Sequence, residues 1–163
     1  MNEPASIPAF YWSRKEHPLV VLPDVQYATL WLFPSGRFRY IDCWPGYAWF
    51  SAGGTWHEKD GQLHCQGNSR GWSDGFADNH SNRNYTAFYT PSEDEQQLVP
   101  DKNYLSPLTK VNQDTVDLVF SHIDERDLPQ HWRSFKDMMW KIERHLGIKT
   151  PVLGTFLIDR GSV

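Results

Sequence analysis

The sequence predicts a mostly β protein: a single antiparallel barrel or strongly curved sheet of about eight strands, with one C-terminal helix packed outside it. Three observations carry this. Aromatic residues make up 15% of the 163-residue chain, with eight Trp, and such side chains favour the pleated, half-buried surface of a sheet. Short alternating stretches, punctuated by Gly-, Pro- and Asp-bearing turns, fill the chain from residue 19 to residue 123. One long apolar stripe of helical period follows them. A sheet of so many antiparallel strands closes on itself to remove its exposed edges.

Residues 1–17 carry Pro4, Pro8 and charges without a period. They are expected to form an irregular N-terminal arm, with Phe10, Tyr11 and Trp12 available to dock it on the body at 18–163. Leu19-Val20-Val21-Leu22 is a short strand closed by Pro23-Asp24, and Tyr27 to Phe33 is a second. Pro34-Ser35-Gly36 turns that strand into Arg37-Phe38-Arg39-Tyr40, where Phe38 and Tyr40 share the core face. Asp60-Gly61 marks a type I′ hairpin, whose central residues both need positive φ. The register follows from it: Lys59 faces Gln62, Glu58 faces Leu63, His57 faces His64 and Trp56 faces Cys65. Trp56, Leu63 and Cys65 then point to the core, and the two histidines to solvent.

Asn68 to Arg83 is long, polar and Gly-bearing, yet contains Trp72 and Phe76. It is expected to be an ordered flap. Asn84–Thr90 and Thr115–Ile123 complete the strands, the latter with Val116, Leu118, Phe120 and His122 on its inner face. The helix spans 128–146. Asp127 and Gln130 resemble a capping box, Pro129 suits the first turn and Gly147 stops it. Its stripe is Leu128, Trp132, Phe135, Met139, Ile142 and Leu146, against a wet face of Arg133, Lys136, Asp137, Lys141, Glu143 and Arg144. Trp140 lies off the stripe. Pro151–Ile158 is a last strand.

Net charge is −4, from 16 Lys plus Arg against 20 Asp plus Glu, and without a basic cluster the chain is expected to bind no nucleic acid. Nowhere do 18 apolar residues run together, so no membrane span is expected. Met1 to Ala5 shows no basic, apolar leader, which makes the cytoplasm the expected location. Cys43 and Cys65 fall on opposite faces of the sheet and are expected as free thiols.

Motifs for acyl transfer, phosphate binding and dinucleotide binding are absent, so no catalytic residue, metal or cofactor is assigned. The cross-strand pair His57/His64 has no third ligand fixed by spacing. His122-Ile123-Asp124 copies the His-x-Asp of an iron-binding facial triad, but the distal candidate, His145, falls late in the helix. Asp74, Asp78, Asn79 and Asn82 lack the spacing of a calcium loop.

The runs Leu32-Phe33-Pro34-Ser35-Gly36-Arg37-Phe38-Arg39-Tyr40, Gly54-Thr55-Trp56 and Asp60-Gly61-Gln62-Leu63 resemble the hairpin units of lipocalin-like (calycin-type) small bacterial β-barrels. Helix 128–146 followed by residues 151–158 is similar to the end of a lipocalin, where a helix packs outside the barrel before a last strand. A lipocalin carries its Gly-x-Trp on the first strand, whereas here it stands on about the fourth, so no family binding residue is carried across.

The expected function is that of a non-catalytic binding protein holding a small apolar or aromatic ligand inside an aromatic-lined barrel. Phe38, Tyr40, Trp56, Trp72, Phe76, Phe120 and His122 are its candidate ligand-binding residues. A barrel of eight strands holds side chains or one small ligand, so small inward residues are required, and Ala28, Ala48, Ala52 and Ala87 are available. The alternative is a protein-interaction module, such as an immunity protein that neutralises a toxin, with Trp72, Phe76 and Trp140 as anchors for the partner. A third is a small barrel enzyme with His122 as acid or base.

Overall fold

Asp60 and Gly61 sit at positive φ, 52° and 78°, as a type I′ turn demands. The strands they join pair in the register expected, with His57 opposite His64 and Trp56 opposite Cys65. This hairpin is part of a longer meander. The computed structural model describes residues 9–17, 24–43, 49–73, 77–103, 105–122, 128 and 132–148. Eight strands, β1 (Ala9–His17), β2 (Asp24–Leu32), β3 (Arg37–Cys43), β4 (Trp49–Lys59), β5 (Gln62–Ser73), β6 (Ala77–Pro91), β7 (Gln97–Pro100) and β8 (Leu108–Lys110), precede two helices, α1 (Gln113–His122) and α2 (Trp132–His145). Each strand pairs with the next, and β8 closes the barrel on β1 through Tyr11↔Lys110 and Trp12↔Thr109.

Two glycines let the wall approach itself. Gly54 and Gly67 lie opposite each other, and a Cβ on Gly67 would stand 1.8 Å from the Gly53 carbonyl oxygen. No larger residue fits between these backbones.

The barrel has a core on each side of its wall. Inward residues alternate along every strand, among them Leu30, Phe38, Tyr40, Ala52, Trp56, Cys65, Ala87 and Tyr89. On the outer face of β1–β3, Phe10, Trp12, Tyr27, Trp31, Ile41 and Cys43 meet Val116 and Val119 of α1 and Phe135, Met139 and Ile142 of α2. Strands β1–β3 therefore carry apolar residues on both faces where the helices cover them. Cys43 and Cys65 are buried free thiols, one in each core.

Phe135 and Met139 are fully buried, as the helical stripe requires. Past the helix, Gly147 has φ 77°, and Ile148 N–H donates to the Glu143 carbonyl at 2.9 Å, the six-to-one bond of a Schellman cap. The wet face needs correction at two positions. Lys136 is 6% exposed and Glu143 1%. Glu143 accepts from Arg14 Nε and, at 2.8 Å, from the Tyr27 hydroxyl. A buried ionic clamp thus holds α2 against β1 and β2, hidden from the sequence because its partners are 129 and 116 residues away.

Three further expectations are overturned. The arm at 1–17 is strand β1 from Ala9 onward, because Phe10 and Trp12 dock under the helices while the backbone pairs with β2. The flap at 68–83 is the continuing hairpin of β5 and β6, paired up to Ser73↔Ala77 with bulges near Gly71. Its polar and small residues on both faces concealed the alternation. Thr115–Ile123 is no strand, since residues 113–122 form α1 and make the helices two. Asn112 caps it, its Oδ1 accepting from Thr115 N–H at 2.8 Å. Val116, Val119 and Phe120 recur at steps of three and four, a period that Val116, Leu118 and Phe120 mimic as alternation. The expected strands 19–22 and 151–158 and the capping residues Asp127, Pro129 and Gln130 lie outside the described residues.

Candidate functional site

Strand β3 runs from the end of the barrel where Trp56 sits toward the opposite end, so its inward residues Phe38, Tyr40 and Asp42 follow one another along the barrel. At the first end, Trp56 is 8% exposed and its indole N–H donates to the Phe33 carbonyl at 3.1 Å. In the middle, Leu30, Phe38, Cys65, Ala87 and Tyr89 are completely shut off from water. The space around them is filled by side chains, which leaves no room there for a ligand. Burial pushes the Cys65 thiol up to about 12 and raises the Tyr89 hydroxyl well above its ordinary value.

The Asp42 end is different. Tyr40, Phe50 and Tyr85 form a triangle of rings, with centroids 6.0 Å apart for Tyr40–Phe50, 6.2 Å for Tyr40–Tyr85 and 6.0 Å for Phe50–Tyr85. Phe50 shares the inward face and is half-buried, while Tyr40, Asp42 and Tyr85 beside it are buried. The surrounding inward positions are small: Ala28, Ala52, Ser69 and Gly71. Asp42 stands opposite Ala28 on β2 and Phe50 on β4 and is 6% exposed. Its Oδ2 accepts from the Tyr40 hydroxyl at 3.0 Å, whereas Oδ1 has no hydrogen-bond partner among the described residues. Burial raises its pKa to about 6, while the Tyr40 hydroxyl and the Gln26 amide pull the other way. The result is an amphipathic inward layer: aromatic faces, small neighbours and one under-satisfied carboxyl.

No family model matches the chain, and no curated protein or solved structure is detectably similar to it. An eight-stranded antiparallel barrel with helices outside it is a lipocalin-like architecture in the general sense, and fold alone does not assign function.

Of the expected ligand residues, Phe38, Tyr40 and Trp56 do meet inside the barrel, though Trp56 belongs to the end opposite Asp42. Phe120 is not with them. It lies on α1 outside the wall, with its ring 5.9 Å from Trp31 and 5.5 Å from Phe33. His122 is the last residue of α1 rather than part of an inward strand face. Trp72 lies on β5, opposite Trp49 and Asp78 in register, and Phe76 is outside the described residues. Trp140 is half-buried on α2. Asp42, Phe50 and Tyr85 were missed, although the parity that places Phe38 and Tyr40 inward also places Asp42 there.

Two clefts lie elsewhere. One, of about 850 Å³, runs between α1 and α2 past Leu118, Met138, Lys141 and Ile142. Another, of about 660 Å³, lies under the Trp56 end beside Tyr11, Leu32, Glu58 and Lys110. On the outer face, the His57 and His64 rings are 5.0 Å apart, and among the described residues no group of three potential ligands gathers around them.

Proposed function

We propose that the protein is a non-catalytic binding barrel that holds a small apolar or aromatic molecule at its Asp42 end. The observation that carries this is the half-buried ring of Phe50, standing with Tyr40 and Tyr85 above a filled core and beside small inward residues. Flat aromatic walls with a few placed polar groups are what small-molecule sites are made of. The filled middle of the barrel limits the ligand to the outer layer, so a compact ring system fits better than a long chain. The resemblance to lipocalin-like barrels points the same way.

Native mass spectrometry of the purified protein, followed by calorimetric titration with indole, tests the reading. A retained small molecule, or indole binding that is lost in Phe50→Ala, supports it. No retained mass and no indole binding up to millimolar concentration would overturn it.

One observation favours a second reading. The cleft between the helices is largely apolar, and Trp140 is half-exposed on α2. A protein partner seated on α2 would use that Trp as an anchor, in keeping with an interaction module of the immunity type.

A further inference from the structure

We infer that the cleft at the Trp56 end of the barrel is a second binding site, for a free α-amino acid with an apolar side chain, whose ammonium group meets Glu58 and whose carboxylate meets Lys110. This site is separate from the one at the Asp42 end, because the filled middle of the barrel lies between them.

The barrel itself places the two charges. Glu58 follows the inward Trp56 by two residues on β4, and Lys110 follows the inward Leu108 by two on β8. Each therefore shares the inward face of its strand. In a closed barrel ordered β1 to β8, strands β4 and β8 are four apart in either direction, so these side chains reach the mouth from opposite sides. Both line the same cleft of about 660 Å³, a volume within the range of small-molecule sites. No ion pair joins them, and among the described residues neither has any other ion-pair partner. A carboxylate and an ammonium thus face one cleft and leave it unbridged.

The cleft between them is apolar and aromatic. Leu32 and Trp56 line it and are buried. Tyr11, half-buried in the same cleft, pairs with Lys110 in the sheet. Burial first, then the negative charges of Glu58 and Glu95, raise its hydroxyl above the ordinary value. Tyr11 is therefore next to Lys110 in the wall and within electrostatic reach of Glu58, and it stays an O–H donor at neutral pH. Asn112 adds to the Lys110 side. Its Oδ1 accepts from the Thr115 N–H and hydroxyl, each at 2.8 Å, which leaves its amide N–H groups to donate into the cleft.

This layout selects one class of ligand. A simple anion would be drawn to Lys110 but repelled by Glu58 and Glu95, and a simple amine would leave Lys110 without a partner. A neutral apolar molecule would cover Leu32 and Trp56 and use neither charge. A zwitterion with an apolar side chain meets all three, and each of its charged ends makes a charge-assisted hydrogen bond, stronger than a neutral one.

The experiment is calorimetric titration of the intact protein at pH 6.0 with L-phenylalanine, with L-phenylalaninamide, which lacks the carboxylate, and with 3-phenylpropionate, which lacks the ammonium. The expected result is L-phenylalanine binding roughly tenfold tighter than either analogue. Glu58→Gln should erase its advantage over 3-phenylpropionate, and Lys110→Met its advantage over the amide. Both side chains are exposed, and a thermal melt establishes that each variant is folded; the comparison of the three compounds on wild-type protein stands without the variants. Equal binding of the three compounds, or no binding of L-phenylalanine up to millimolar concentration, overturns the inference and leaves the reading at the Asp42 end untouched. A preference for L-phenylalanine that persists unchanged in both folded variants overturns Glu58 and Lys110 as its receptors.

Discussion

Replacing Asp42 with Asn should stabilise the ligand-free protein, and by an amount that depends on pH. The carboxyl is raised by burial from an ordinary value of 3.8 to about 6. Below pH 3.8 it is protonated in both folded and unfolded chains and contributes no difference. Between there and pH 6 the unfolded chain ionises while the folded one holds its proton, so stability falls as pH rises. Above pH 6 the loss is complete. A rise of about two pH units, at about 1.36 kcal/mol each, amounts to about 3 kcal/mol. Asn has the same shape, still accepts from Tyr40 and does not ionise. Urea unfolding followed by Trp fluorescence should therefore show Asp42→Asn more stable than wild type by about 3 kcal/mol at pH 7.5 and by only about 0.5 kcal/mol at pH 4.0. A gain of the same size at both values, or a loss at pH 7.5, would refute the reasoning.

Other substitutions test the frame that holds this site. Phe135→Ala should cost about 3–5 kcal/mol in the same urea assay, since Phe135 is fully buried between α2 and the outer face of the barrel. Glu143→Ala should cost about 3 kcal/mol, because it strands Arg14 and the Tyr27 hydroxyl beneath α2; a melt indistinguishable from wild type would show that the clamp is dispensable. Asn112→Ala should cost about 1 kcal/mol through loss of the α1 cap, seen as a lower thermal midpoint. Gly67→Ala should lower soluble yield and destabilise the barrel by about 3 kcal/mol or more, because its Cβ would collide with the Gly53 carbonyl.

What the sequence made legible follows from which signals are local. The Asp60-Gly61 turn fixed the central hairpin register to the residue, because positive φ at two adjacent positions leaves few alternatives. The α2 stripe and its Gly147 stop were legible for the same reason, being matters of period and cap. The strand Ala9–His17 was hidden because its outward Phe10 and Trp12 answer to helices more than a hundred residues later, so that apolar side chains alternate with no clean polar face. Helix α1 was hidden by the ambiguity of Val116, Leu118 and Phe120, which Asn112 as a cap would have resolved.

The site was half legible. Parity placed Phe38 and Tyr40 inward and, continued by one step, would have placed Asp42 beside them. Asp42 lies just past the alternation of Arg37 to Tyr40, and its burial depends on the closed barrel around it. Phe120 and His122 were assigned to the interior only because their segment was taken for a strand. Phe50 and Tyr85 needed the closed barrel itself, since β4 and β6 meet across its interior and not through pairing.

The most direct test of the central claim is where a small aromatic molecule sits. Isotope-filtered NOE spectra of unlabelled indole with the uniformly ¹³C-labelled protein would report it. The account predicts cross-peaks from the indole ring to the Ala28 and Ala52 methyls and to the Phe50 and Tyr40 rings. Cross-peaks instead to Leu118, Met138 and Ile142 in the helix cleft, or none at all, would contradict it.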